Sequence, residues 1–292
     1  MSRIIRAMST DGSVRAAVMD SREIVERAVN IHHTMPTATA ALGRTLTAAS
    51  LMGCLMPEKQ NLVTVSFRGD GQGGQILASA DYIGNVRGYI QNPLCDPPRK
   101  PNGKLDVAAC VGKGLLNVMR ETGAPQPYIG TSNIVTGEIA EDIAAYYVSS
   151  EQIPTICALG VLVGKDRHCL TAGGALVQLL PGADPDVVDV LEKNAASLPP
   201  VTTVLAEGKP EDYLALMLKD IPYELFDEMT PSYKCACSRA KTDRALISIG
   251  KKELQELIDD PKPTVLTCQF CDKVYDYGKN DLKKLLTECT KA

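Results

Sequence analysis

The sequence predicts an α+β protein with three parts: a β-rich N-terminal body of antiparallel sheet with packing helices (residues 1–180), a helical linker (181–230) and a small metal-binding C-terminal domain (231–292). Three observations carry that prediction. Between residues 61 and 179 apolar side chains recur with period two in runs separated by glycine turns, the pattern of half-buried antiparallel strands. After Pro181 the alternation gives way to prolines, charges and helical spacing. Near the end, Cys235-Ala236-Cys237 and Cys268-Gln269-Phe270-Cys271 set four thiols in two short clips.

The elements can be justified in order. Residues 14–18 read as a short strand, and Asp20 with Glu23 three positions on resembles a capping-box helix start, followed by apolar residues at 24, 25, 28 and 29. His32 and His33, two of the three histidines, end that helix with no acidic or histidine partner in register, so packing or a helix-end dipole contact explains them better than catalysis. Pro36 suits the first turn of a second helix, and residues 38–56 are so rich in Ala and Leu that they should be buried on several sides, with Cys54 as core. Residues 62–67, 75–80 and 85–90 form a three-stranded meander. The turn Gly69-Asp70-Gly71-Gln72-Gly73-Gly74 joins strand to strand with no helix N-terminus and no Gly-Lys-Ser/Thr, so it is not a phosphate loop.

A proline-rich loop over 92–102 carries Cys95 without a metal-spaced partner. Strands are expected over 115–120 and 128–135, then a helix over 138–150 whose Glu138, Glu141 and Asp142 favour the positive end of its dipole. Two more strands, 155–163 and 168–179, carry Cys157 and Cys169; His168 beside Cys169 is no nucleophile pair, because strand neighbours point to opposite faces. Helices over 186–197 and 211–219 make up a loosely held linker with few large apolar faces. Beyond the first clip come a helix over 242–257 broken at Gly250, a hairpin over 262–277 holding the second clip, and a last helix over 280–287; Cys289 is a spare thiol and Cys110 has no assigned role.

Composition narrows the function. With 292 residues and 45% hydrophobic content the chain can bury a substantial core. It has no uninterrupted apolar run of about 18 residues and no signal-peptide pattern in Met1-Ser2-Arg3-Ile4-Ile5-Arg6, so a cytoplasmic protein without membrane association is expected, its ten cysteines mostly reduced. A net charge of -4, no Trp and three Phe leave little for binding nucleic acid. Lys234, Arg239, Lys241 and Arg244 near the first clip offset the negative charge that a four-thiolate zinc centre carries.

Four thiolates from two clips suit Zn²⁺, one ion per chain, held by Cys235, Cys237, Cys268 and Cys271 in a closed structural site with no position left for substrate. The first clip departs from the usual two-residue spacing, since only Ala236 separates its sulfurs. Unliganded thiols or two local disulfides are the alternatives. No catalytic constellation is present, so the chain is read as a non-enzyme.

With these residues in view, the chain resembles the heat-shock protein 33 family of redox-regulated bacterial holdase chaperones over nearly its full length. The matching text is Ala38-Thr39-Ala40-Ala41-Leu42-Gly43-Arg44, Gly84-Asn85-Val86-Arg87-Gly88-Tyr89, Gly137-Glu138-Ile139-Ala140-Glu141-Asp142, Ser150-Glu151-Gln152 with Pro154, Gln178-Leu179-Leu180-Pro181-Gly182 and the two clips. Tyr233, where Phe is familiar, and Ala240, where an acid is usual, are small departures that touch no ligand. The resemblance implies zinc held by four thiolates at rest and disulfide formation under oxidant and unfolding stress. Zinc loss and unfolding of the C-terminal part would then expose a surface for unfolding client proteins, commonly in a homodimer.

The residues can support such a switch. A small domain has a thin core, and structural zinc contributes about 10 to 16 kcal/mol in small zinc modules, so metal loss should unfold it. Pairing Cys235 with Cys237 and Cys268 with Cys271 closes the smallest loops and is the expected oxidised product. Competing functions are a zinc-ribbon adaptor for nucleic acid or protein, a thiol-disulfide oxidoreductase using the second clip, and a zinc-stapled protein without redox function.

Overall fold

The computed structural model describes residues 1–289, which divide into two compact units, Met1–Lys234 and the chain from Cys235 onward. In the first, β1 (Arg3–Ser9), β2 (Val14–Asp20), α1 (Arg22–His32) and α2 (Pro36–Cys54) are followed by the meander β3 (Leu62–Gly69), β4 (Gln75–Asp81) and β5 (Val86–Ile90). Next come α3 (Val107–Val111), β6 (Gly114–Glu121), β7 (Tyr128–Asn133) and α4 (Ala140–Tyr146), which runs into a π-helical turn over Tyr147–Glu151. The long hairpin β8 (Thr155–Val163) and β9 (Cys169–Leu179), helices α5 (Pro185–Ser197), α6 (Val201–Glu207) and α7 (Pro210–Met217), and the short strand β10 (Tyr223–Leu225) complete the unit. Two five-stranded antiparallel sheets result, ordered β10-β1-β2-β9-β8 and β5-β4-β3-β6-β7.

Helix α2 packs against strands of both sheets, and all of its residues except Pro36 and Arg44 are buried. Its small side chains permit that closeness. A Cβ on Gly53 would stand 2.5 Å from the Asp81 carbonyl oxygen, so only glycine lets the helix lie on the β4 backbone. Its hydroxyls are satisfied locally, Thr45 donating to the Ala41 carbonyl and Thr47 to that of Gly43. Leu42, Leu46, Val65, Phe67, Ile76 and Leu176 belong to the main core around it.

Two expectations are corrected here. The capping-box start at Asp20 is not formed: β2 runs through Asp20, and the N-cap Ser21 is tied by a 2.7 Å hydroxyl contact to Thr47, so it caps nothing. Glu23 instead pairs with the N-terminal amine at 2.8 Å. Residues 181–230 also carry more apolar surface than expected, because Leu191, Val201, Leu205, Tyr213, Leu214 and Met217 form a second core on the outer face of the first sheet. The buried Asn194 amide ties α5 to the end of α7 by donating to the Met217 and Lys219 carbonyls.

The second unit holds α8 (Arg239–Ile249), α9 (Lys251–Asp259), the hairpin β11 (Thr264–Thr267) and β12 (Val274–Tyr277), and α10 (Lys279–Cys289). Gly250, at φ 98°, separates α8 from α9 at the predicted break. Among the described residues the buried core here is seven side chains, Leu246, Leu254, Ile258, Tyr275, Tyr277, Leu282 and Leu285.

Candidate metal centre

The two clips are positioned by different means. Cys235 and Cys237 lie in extended chain that ends at Ser238, whose hydroxyl accepts from the Lys241 amide at 3.4 Å and opens α8. Cys268 and Cys271 form the tip of the β11–β12 hairpin. There the Cys268 amide donates to Lys273, the Cys268 carbonyl accepts from Cys271 and Asp272, and Asp272 takes a left-handed φ of 54° to turn the chain.

The four sulfurs converge: all lie within 4.8 Å of one another, with Cys235 3.7 Å from Cys268 and Cys237 3.5 Å from Cys271 across the clips. A tetrahedron of sulfurs at about 2.3 Å from a zinc ion has edges of about 3.8 Å. The all-sulfur donor set, its half-buried setting and these separations fit that ion.

The thiols are not equivalent. Burial pushes Cys235 up to about 12, and hydrogen bonds with Cys271, Cys268 and Cys237 add to the rise. Burial also acts to raise Cys237, but the Tyr275 hydroxyl, donating to its sulfur at 3.0 Å, and the neighbouring thiols outweigh this and bring it down to about 7. Cys271 is raised, chiefly by burial. Tyr275 itself is pushed up, first by that hydrogen bond to Cys237. The sequence reading missed Tyr275; its place on β12 just beyond the second clip was the available signal.

Of the cations expected to offset the site's charge, Arg239 is engaged elsewhere. Its guanidinium lies 3.9 Å from the Tyr277 ring centre and donates to the Asp276 carbonyl at 2.7 Å and to Asp281 at 3.0 Å. It ties α8 to β12 and α10. Lys273 stands 5.4 Å from the Tyr275 ring centre.

Other candidates take structural roles. His32 shares its Nε2 with the Gly88 carbonyl and the Tyr233 hydroxyl. His168 faces Glu26, not Cys169. Asp142 is fully buried and accepts from the amides of Val135, Thr136, Gly137 and Ile139, so it holds the loop before α4. Cys54 is core, its thiol donating to the Leu51 carbonyl at 3.1 Å. Cys289 packs against the small core of the second unit. The second clip sits on a hairpin tip, away from the helix N-terminus that a disulfide oxidoreductase uses. Among the described residues, no helix is long and apolar enough to cross a membrane.

Comparison with known proteins agrees with this architecture. The family model described as Hsp33 protein matches residues 2–278. A 33 kDa chaperonin of Clostridioides difficile is 44% identical over 98% of this chain and 98% of its own. One of Clostridium perfringens is 43% identical over 99% of this chain and 92% of its own. A crystal structure of the 33 kDa chaperonin (heat shock protein 33 homolog) from Thermotoga maritima is similar with a TM-score of 0.91 at 33% identity, covering 99% of both chains. A family match across nearly the whole length, with relatives more than 40% identical, leaves one conclusion: the chain belongs to the Hsp33 family, whose named members are 33 kDa chaperonins and not enzymes.

Proposed function

We propose that this protein is a redox-regulated holdase of the cytoplasm that is closed while reduced and zinc-bound. Oxidation would open it to bind unfolding client proteins, with dimerisation of the active form. The observation that carries the reading is the convergence of Cys235, Cys237, Cys268 and Cys271 within 4.8 Å in a unit whose core is seven side chains. Zinc held by the four thiolates would supply the cross-link between clip and hairpin that so small a core lacks.

Cys237 is brought down to about 7, and Tyr275 donates to its sulfur. It is therefore a thiol prepared to react with a hydroperoxide once the cluster loosens. Two disulfides, Cys235–Cys237 and Cys268–Cys271, form as four thiol hydrogens and four electrons pass to two peroxide molecules, each reduced to water. With the sulfurs paired inside each clip, nothing fastens one clip to the other and the second unit unfolds.

Residues 181–230 would serve as the linker that answers this change. Its helices cover a sheet face carrying Ile5, Val14, Val18, Ala175 and Val177. If the linker lifts, that face is left bare, and contiguous apolar patches beyond several hundred Å² bind other chains.

The test follows zinc release and light scattering of a denatured test protein, before and after hydrogen peroxide with warming. About one zinc per chain should be released and aggregation suppressed only in the oxidised sample. A reduced chain without stoichiometric zinc, or one that protects clients equally well, overturns the reading. Peptide mapping that found mainly Cys237 joined to Cys268 would overturn the disulfide pairing.

A further inference from the structure

Helix α2 opens without a cap of its own. Met35 occupies its N-cap with no side-chain hydrogen bond, and Pro36 follows in the first turn. The free amides are taken by the loop after β5: Asp96 Oδ1 accepts from the Thr37 amide at 3.1 Å and its hydroxyl at 2.6 Å, the Cys95 carbonyl accepts from Ala38 at 3.2 Å, and the Pro93 carbonyl accepts from Met35 at 2.8 Å. That loop thus serves as the cap of the central helix.

It also sets the Cys95 side chain against α3. The Cys95 and Cys110 sulfurs are 3.0 Å apart and both residues are buried, 2% and 0% exposed. This separation is about 1 Å longer than a disulfide bond. α3 is anchored in turn, with the Cys110 and Val111 carbonyls accepting from Gly73 and Gly71 at 2.8 and 3.1 Å. A Cβ on Gly73 would come within 2.7 Å of the Cys110 sulfur, so the glycine makes room for it.

We propose that Cys95 and Cys110 are a second oxidisable dithiol of this protein, which forms an intramolecular disulfide in the first unit independently of the four clip cysteines. A hydroperoxide is the oxidant. One thiol, as thiolate, attacks a peroxide oxygen to give a sulfenic acid and one water, and the other then displaces the sulfenic oxygen as a second water. Two thiol hydrogens and two electrons leave the protein. Burial raises both thiols above their ordinary value, so the pair reacts after the clips, when warming lifts the loop. The consequence is opposite in sign to oxidation of the clips. A bond between loop and α3 fastens the α2 cap in place and restricts the unfolded chain, so the first unit becomes harder to melt.

The test uses the whole reduced, zinc-loaded chain, treated with hydrogen peroxide while warmed and then digested with trypsin without reductant. The expected product is the peptide of residues 88–99 joined to that of residues 105–113, two hydrogens lighter than their sum. The melting midpoint of the first unit should rise by several degrees, and Cys95→Ser should abolish the rise while zinc release from the clips proceeds as before. Recovery of Cys95 and Cys110 as free thiols after the clips have oxidised at temperatures near the melting of the first unit overturns the proposal. So does finding them joined to other cysteines. Mapping the unaltered chain decides the matter even if the variant folds poorly, and zinc release in the same sample reports separately on the clips.

Discussion

Tyr275 makes Cys237 different from its three neighbours. The hydroxyl donates to that sulfur at 3.0 Å, and a donor aimed at a thiolate favours the charged form. Hydrogen bonds to charged groups contribute about 1.5 to 3 kcal/mol, and a tenfold change in proton affinity corresponds to about 1.4 kcal/mol. In the metal-free reduced chain, Tyr275→Phe should therefore slow alkylation of Cys237 by iodoacetamide at neutral pH by roughly fivefold or more. An unchanged rate, with Cys237 resolved by mass spectrometry, would show that the neighbouring thiols alone lower its proton affinity. Residue-scale chemistry was only partly legible in the sequence. The four clip cysteines are visible because their spacing is their function, whereas Tyr275 reaches the site through the register of a hairpin. Asp142 misled for a related reason: an acid in a first turn looks like a dipole partner, yet this one turns back to bind four amides of the preceding loop.

Between elements, the joint of α1 and β9 is tuned by pH. Glu26 accepts from the Cys169 amide at 2.7 Å and contacts His168 at 2.6 Å. The hydrogen bond and charge of Glu26 raise His168 above its ordinary 6.5. Burial acts to raise Glu26, but His168 and the Cys169 amide outweigh it and leave it below 4.5. A raised histidine contributes stability that is full below 6.5 and is lost as pH rises through its folded value. A depressed carboxylate contributes above 4.5 and loses that contribution as pH falls through its folded value. His168→Gln should thus lower the melting midpoint most between pH 4.5 and 6.5, and little at alkaline pH; a difference independent of pH would show that the pair does not titrate as described. Element legibility followed burial. α2 and the strands of the meander carry strong periods. β1 does not, since Ile4 joins one core while Ile5 and Ala7 join the other and alternation is blurred. α6, at seven residues and closed by Gly208, is too short for a helical period to declare itself, whereas α7, opened by Pro210, falls where a helix over 211–219 is expected.

For the molecule as a whole, the two units differ in what holds them. The first has two sheets and two apolar clusters, while the second has one small cluster beside its four sulfurs. Treating the reduced chain with a strong zinc chelator should melt the second unit and leave the first folded. Calorimetry would then show one surviving transition, and proteolysis would concentrate beyond Lys234. Loss of both units together, or of neither, would contradict that division of labour.

Helix α2 carries a further implication for synthesis. It is covered on one side by β3 to β5 and on the other by β8 and β9, which end at Leu179. A ribosome adding about 5 to 20 residues per second makes the apolar helix well before its second cover exists. During that interval the nascent chain displays a sticky rod with a single charge, Arg44. A protein of a family that shelters others is, while it is being translated, itself in need of shelter.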